Sequence, residues 1–146
     1  MPRLSLLPIA RSAVALAIVA FGAACRTSAP STAVPYSQVD LVVGTGATAA
    51  VGQTLSVEYT GYMYDSAKPD ARGPVFDTSV GGDPFVFVLD KANVIDGWVL
   101  GVPGMKVGGT RRLVIPPELA YDGHGIPGGL PANATLVFDI KLISIQ

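Results

Sequence analysis

Residues 55–64, LSVEYTGYMY, decide the fold. Leu55, Val57 and Tyr59 alternate with Ser56, Glu58 and Thr60. A period of two is the mark of a strand with one face against a core, because successive side chains leave a strand on opposite sides. Gly61 interrupts the pattern and Tyr62-Met63-Tyr64 resume it. A glycine inside such a run predicts a bulge or bend.

The same reading extends along the chain. Phe85 to Leu89 is a short apolar strand, and Thr110 to Ile115 is another, closed by Pro116-Pro117. In the final strand Leu136, Phe138, Ile140 and Leu142 alternate with Val137, Asp139 and Lys141. One segment suggests a helix, with Asp96 as its cap and Trp98 to Val102 as its body. Gly97, Gly101 and Pro103 keep it short. One short helix and about five strands, with turns of Gly and Pro between them, exclude a layered α/β protein. The helix must pack against a single curved antiparallel sheet, which predicts an α+β domain.

The chain has 146 residues, nearly half of them hydrophobic, enough for one domain and a further segment. Its net charge of −1 speaks against nucleic acid, which calls for a basic patch. The one basic pair, Arg111-Arg112, is expected to face water at an edge or on the surface of a sheet.

The amino terminus reads as an address. Residues 1–24 carry Arg3 and Arg11, an apolar run from Ala13 to Phe21, and the small residues Gly22-Ala23-Ala24, which together describe a secretory signal. The run is too short for a membrane span, which needs about 20 residues. Cys25 follows directly, and as the only cysteine it has no partner for an internal disulfide. The arrangement resembles the bacterial lipoprotein signal, although Gly22 stands where that signal usually has Leu, Val or Ile. It predicts a lipid on Cys25 and a membrane-anchored, exported protein facing the periplasm or cell surface. Cleavage by ordinary signal peptidase after Ala24, leaving a soluble periplasmic protein, is the alternative. Residues 25–38, ending RTSAPSTAVPYSQ, form a flexible tether, and the folded domain is expected over 39–146.

Six blocks carry a family resemblance. They are Val57 to Gly61, Val75 to Ser79, Val94 to Trp98, Val107 to Arg112, Ile115 to Tyr121 and Pro131 to Phe138, in that order. The chain resembles the FKBP-type (macrolide-binding) peptidyl-prolyl cis-trans isomerases from Val39 to the end. The resemblance implies a five- to six-stranded antiparallel curved sheet wrapped around one short helix, with a proline pocket between them. It assigns substrate binding to Tyr59, Phe76, Phe85, Val94, Ile95, Trp98, Leu130 and Phe138. It assigns catalysis to Asp77, the Tyr121 hydroxyl and the Ile95 backbone N–H, with no cofactor and no metal. The implied partners are proline-containing polypeptides, macrolide inhibitors of the rapamycin type, and a membrane reached through the lipid. No dimerisation segment is visible, so a monomer is expected.

Those residue types suit the chemistry. An Xaa–Pro bond rotates in about tens to hundreds of seconds because rotation breaks amide resonance. No covalent bond changes, so a catalyst need only favour the twisted amide over the planar one. The twisted amide is less charge-separated and tolerates a dry aromatic pocket better than the planar form does. Lowering the barrier by about 5 kcal/mol would give roughly 4,000-fold. The alternative is a binding or chaperone module that grips proline segments without turnover.

Three departures from the family pattern bear on specificity. The loop between Asp77 and Phe85 is short and lacks an Arg often found there, so Asp77 is expected to be without its usual ion-pair partner. Gly129 stands where Ile is frequent, next to Leu130. Asp65 to Gly73 is an insertion of surface-loop character. Gly44 to Ala49 and Gly123 to Gly128 both fit a dinucleotide-loop pattern, but no helix follows either. His124, the only histidine, is expected in an exposed loop, and Asn133-Ala134-Thr135 in the turn into the last strand.

Overall fold

The computed structural model describes residues 33–146. The signal reading of 1–24, Cys25 and the tether as far as residue 32 lie outside the described residues. Among the described residues, no helix is long and apolar enough to cross a membrane.

Six strands and one helix follow in chain order: β1 Ser37–Val42, β2 Thr54–Tyr64, β3 Arg72–Thr78, β4 Phe85–Val88, α1 Asp96–Gly101, β5 Thr110–Ile115 and β6 Leu136–Ile145. A single 3-10 turn, Pro117–Leu119, follows β5. The sheet has the order β1-β5-β6-β2-β3, and β4 pairs with β2 beside β3. Every pairing is antiparallel. This is the α+β architecture that the alternating strands predict. The alternation of β2 and β6 buries Leu55, Val57, Leu136, Phe138, Ile140 and Leu142 in one core.

Four local features differ from the expectations. β1 starts at Ser37, two residues ahead of Val39. Tyr36 also belongs to the fold, because its hydroxyl donates to the Gly97 carbonyl at 3.4 Å. Asp96 is the first residue of α1 rather than its cap; Ile95 holds the cap position with extended backbone and no side-chain cap bond. The segment 65–73 is only partly loop, since Arg72 and Gly73 open β3.

The fourth difference is the arginine pair. β5 lies inside the sheet, between β1 and β6, and its two arginines leave on opposite faces, Arg111 into the buried side and Arg112 onto the outer, partly exposed side. Arg111 is buried and sends Nε and Nη2 to the two Asp40 carboxylate oxygens at 2.6 and 3.0 Å. Its Nη1 reaches the Gly101 and Pro103 carbonyls at 2.7 and 3.1 Å. A helix end leaves carbonyls without intrahelical partners, and a guanidinium can satisfy two at once. Arg112 lies on the other face and forms a paired contact with Asp139 at 2.6 and 2.9 Å.

Candidate active site

The floor of the main cleft is Trp98, on the sheet-facing side of α1 and almost fully buried. Four rings surround it edge-on: Tyr59 at 5.3 Å, Phe138 at 5.4 Å, Phe87 at 5.5 Å and Phe85 at 6.3 Å between centroids. Edge-to-face contact is the favoured geometry for aromatic quadrupoles. Tyr59 comes from β2, Phe138 from β6 and Phe85 from β4, so the curved sheet supplies the walls. The Trp98 indole N–H is buried with no hydrogen-bond acceptor among the described residues.

Gly61 makes the wall possible. A Cβ there would stand 2.7 Å from a Phe76 ring carbon and 2.9 Å from one of Phe138. The register of β2 against β3 slips between Gly61 and Tyr62, the bulge that the glycine predicts. Gly61 pairs across the strands with Asp77. Asp77 is exposed at the cleft, and its Oδ2 accepts the Tyr59 hydroxyl at 2.6 Å. Among the described residues the phenol is the hydrogen-bond partner of the Asp77 side chain. Burial first, and then the bond to Asp77, push the Tyr59 hydroxyl well above its ordinary range. Ser79 fastens the Tyr59 backbone, with Oγ accepting its N–H at 2.9 Å.

Two donors stand unused. The Tyr121 hydroxyl has no acceptor among the described residues, and neither has the Ile95 backbone N–H. Burial, and secondarily the negative charge of Asp77, raise the Tyr121 pKa, which keeps the hydroxyl a donor. Ile95 N–H is free because Ile95 is the N-cap residue and no preceding helical turn offers it a carbonyl.

The cleft encloses about 460 Å³, a volume suited to a few residues of peptide or a small ligand. It brings together Tyr59, Asp77, Phe85, Val94, Ile95, Trp98, Tyr121 and Phe138. Two residues of the expected set are elsewhere. Phe76 packs edge-on behind Phe138 at 5.6 Å and buttresses the wall. Leu130 is buried beneath the 121–134 loop, in a separate small cavity with Pro117 and Leu136. Its backbone accepts from Ile126, which turns the loop back on itself and its side chain into the core.

Several cleft residues escape a reading of the sequence. Lys91, Asp96, Glu118 and Asp122 line it, and Lys91 pairs with Asp96 at 3.3 Å. Their signal was positional: Asp96 precedes the floor tryptophan by two residues, and Glu118 and Asp122 bracket Tyr121. His124 is exposed in the loop. Among the described residues no three metal-ligating side chains come together.

Comparison with known proteins agrees with this geometry. The family model of the FKBP-type peptidyl-prolyl cis-trans isomerases matches residues 46–143. The chain is 46% identical over 107 residues to the FK506-binding protein 4 of Rhizopus delemar, covering 73% of this chain and 26% of that protein. It thus spans about a quarter of that relative's length. Among solved structures it is similar to FkpA from Escherichia coli, with a TM-score of 0.64 and 39% identity over 76% of this chain and 48% of that one. AtFKBP13 gives a TM-score of 0.64 at 34% identity, over 76% of this chain and 93% of that one. A cleft of this construction, a sheet of this order and a match of this extent have one common reading: the chain belongs to the FKBP-type peptidyl-prolyl cis-trans isomerase family.

Proposed function

We propose that the cleft accelerates rotation about Xaa–Pro bonds in exported polypeptides. The observation that carries this reading is the pairing of an aromatic floor with two unused donors, Tyr121 Oη–H and Ile95 N–H. The proline ring sits on Trp98 between Tyr59, Phe85 and Phe138. The two donors hold carbonyls on either side of the rotating bond, so the flanking chain stays fixed while the amide turns. Substrate binding in a water-poor site removes the solvent that favours the planar, charge-separated amide. No atom is transferred, so the whole effect is differential binding of the twisted form.

The relatives' name, FK506-binding protein, supports a further part of the reading, that macrolides of this class and of the rapamycin type occupy the same cleft. Asp77 lacks a cationic partner among the described residues, which favours a second reading, a module that binds proline segments without turnover. An isomerisation assay on a short Leu-Pro peptide separates the two. Acceleration with quenching or shift of Trp98 emission on adding rapamycin supports the isomerase. Ligand-dependent Trp98 emission without acceleration supports the binding module. Neither response refutes both.

The chain acts at a membrane as a monomer in this proposal, held by a lipid on Cys25. The pattern of Arg3, Arg11, the apolar run 13–21 and the small residues before Cys25 supports it. Three acyl chains would give stable anchoring where one would not. Intact mass of the native protein should carry the diacylglyceryl group. A free Cys25 thiol on a soluble product would refute the anchor and leave the isomerase reading untouched.

A further inference from the structure

The charges around the cleft are one-sided. Asp77, Asp96, Glu118 and Asp122 line it, against Lys91 alone, a formal balance of −3 from four carboxylates and one ammonium. Residues 33–146 carry eleven carboxylates against seven cations, a balance of −4, and the cleft accounts for −3 of it, so the negative charge of the domain is gathered there. The single cation is already spent: Lys91 Nζ lies 3.3 Å from Asp96. Glu118 and Asp122 take part in no ion pair among the described residues, and Asp77 is engaged only by the neutral Tyr59 hydroxyl. Acidic side chains alone would say little. Here they border a cavity that is independently a ligand site, with an aromatic floor and two unused donors.

We infer that this cleft selects proline segments carrying Lys or Arg beside the proline and disfavours those carrying Asp or Glu. The inference rests on the isomerase reading and adds the substrate class. A cleft whose charges are predominantly of one sign focuses its field on whatever enters. A basic flanking side chain would meet Glu118 and Asp122 without first breaking a pair, because neither has a cation to give up. An acidic one would meet uncompensated like charge, the usual means of excluding wrong partners. Asp77 adds the same sign from another side of the cleft, while the Lys91–Asp96 pair is neutral overall.

The test uses three peptides that differ only before the proline, with Lys, Gln or Glu. Rotation is read by NMR exchange, so that no helper protease contributes its own preference. At low salt the kcat/KM ratio of the Lys to the Glu peptide should be on the order of fivefold or more. It should fall toward one at 0.5 M NaCl, where the screening length is about 4 Å. Glu118→Gln with Asp122→Asn should shrink the ratio measured within that protein. Asn is chosen because Asp122 has φ +48° and Asn tolerates that left-handed conformation. Equal rates for Lys and Glu peptides, or a ratio indifferent to both salt and the double substitution, would overturn the inference alone. A protein that accelerates none of the three would overturn the isomerase reading together with it.

Discussion

Asp77 and Tyr59 lend themselves to a double-mutant cycle. Tyr59 donates to Asp77 at 2.6 Å, and the same ring stands 5.3 Å from Trp98 and 5.8 Å from Phe85. If the carboxylate acts by holding that ring against the floor, Asp77→Leu and Tyr59→Phe remove the same interaction from opposite ends. A hydrogen bond to a charged acceptor is worth about 1.5–3 kcal/mol. Asp77 is exposed and water can replace part of the bond, so the low end applies, roughly 1.5 kcal/mol or about tenfold in kcat/KM. Each single substitution should therefore cost about tenfold, and the double no more than either single. Macrolide affinity should fall much less, since the aromatic faces remain. Activity is measured on a Leu-Pro peptide, with folding checked by thermal melts. A double mutant about a hundredfold down would show independent roles and refute the positioning argument. A folded Asp77→Leu protein with full activity would refute any role for the carboxylate.

Three further outcomes follow from the same contacts. Arg111→Met leaves the Gly101 and Pro103 carbonyls and Asp40 without their donor; it should cost about 3 kcal/mol and lower Tm by roughly 10 °C by calorimetry. Arg111 holds the Asp40 carboxyl below its ordinary range, so this contribution is complete above about pH 4 and is lost as pH falls through the depressed value. Tm should hold down to about pH 4 and then drop, and the drop should be shallower in Arg111→Met. Gly97→Ala raises helix propensity by about 1 kcal/mol, yet the new Cβ would stand 2.5–2.9 Å from three carbons of buried Ile115. A net loss of stability with altered Trp98 emission is expected by denaturant titration, and a net gain would show that the helix does not need close approach.

How much of this was legible varies with the kind of contact. β2 and β6 declare themselves because each has one face in the core, and burial turns geometry into an alternating pattern. β1 does not, since all six of its residues are exposed and its pairing with β5 leaves no apolar period. β3 is an edge strand whose first residues, Arg72-Gly73-Pro74, have a composition that reads as loop, while Val75 onward is legible through the family resemblance. Arg111 could have been found: it falls on the same face as Leu113 and Ile115, both buried, so the period of two already placed it inward. A charge there was read as marking the surface, when a buried charge with a partner was the other possibility. The family resemblance assigns Phe76 and Leu130 to the cleft. In a strand, however, Phe76 and Asp77 leave on opposite faces, and here only Asp77 reaches the opening. The acidic lining is not legible as a set, because Asp77, Asp96, Glu118 and Asp122 lie on different elements and meet only in three dimensions.

The position of Trp98 shows how little of the site the helix itself determines. α1 has six residues, two of them glycine, and isolated helices shorter than about 12 residues are marginal even in favourable sequences. It persists because other elements hold it. Gly97 meets Ile115 and Gly101 meets Leu113, so the helix runs antiparallel to β5 along one row of buried side chains. Four helical residues advance about 6 Å and two strand residues about 6.6 Å. The two glycines therefore fall in step with the two β5 side chains, and each supplies the space that its partner fills. Arg111 closes the far end by binding the Gly101 and Pro103 carbonyls, and Tyr36 reaches the near end at the Gly97 carbonyl. With the glycine face fixed against β5, the next residue, Trp98, is turned toward Tyr59 and Phe138, where it meets both rings. The floor of the cleft is thus set by β5 and by the segment leading into β1, and the glycines that weaken the helix are what allow it to be placed.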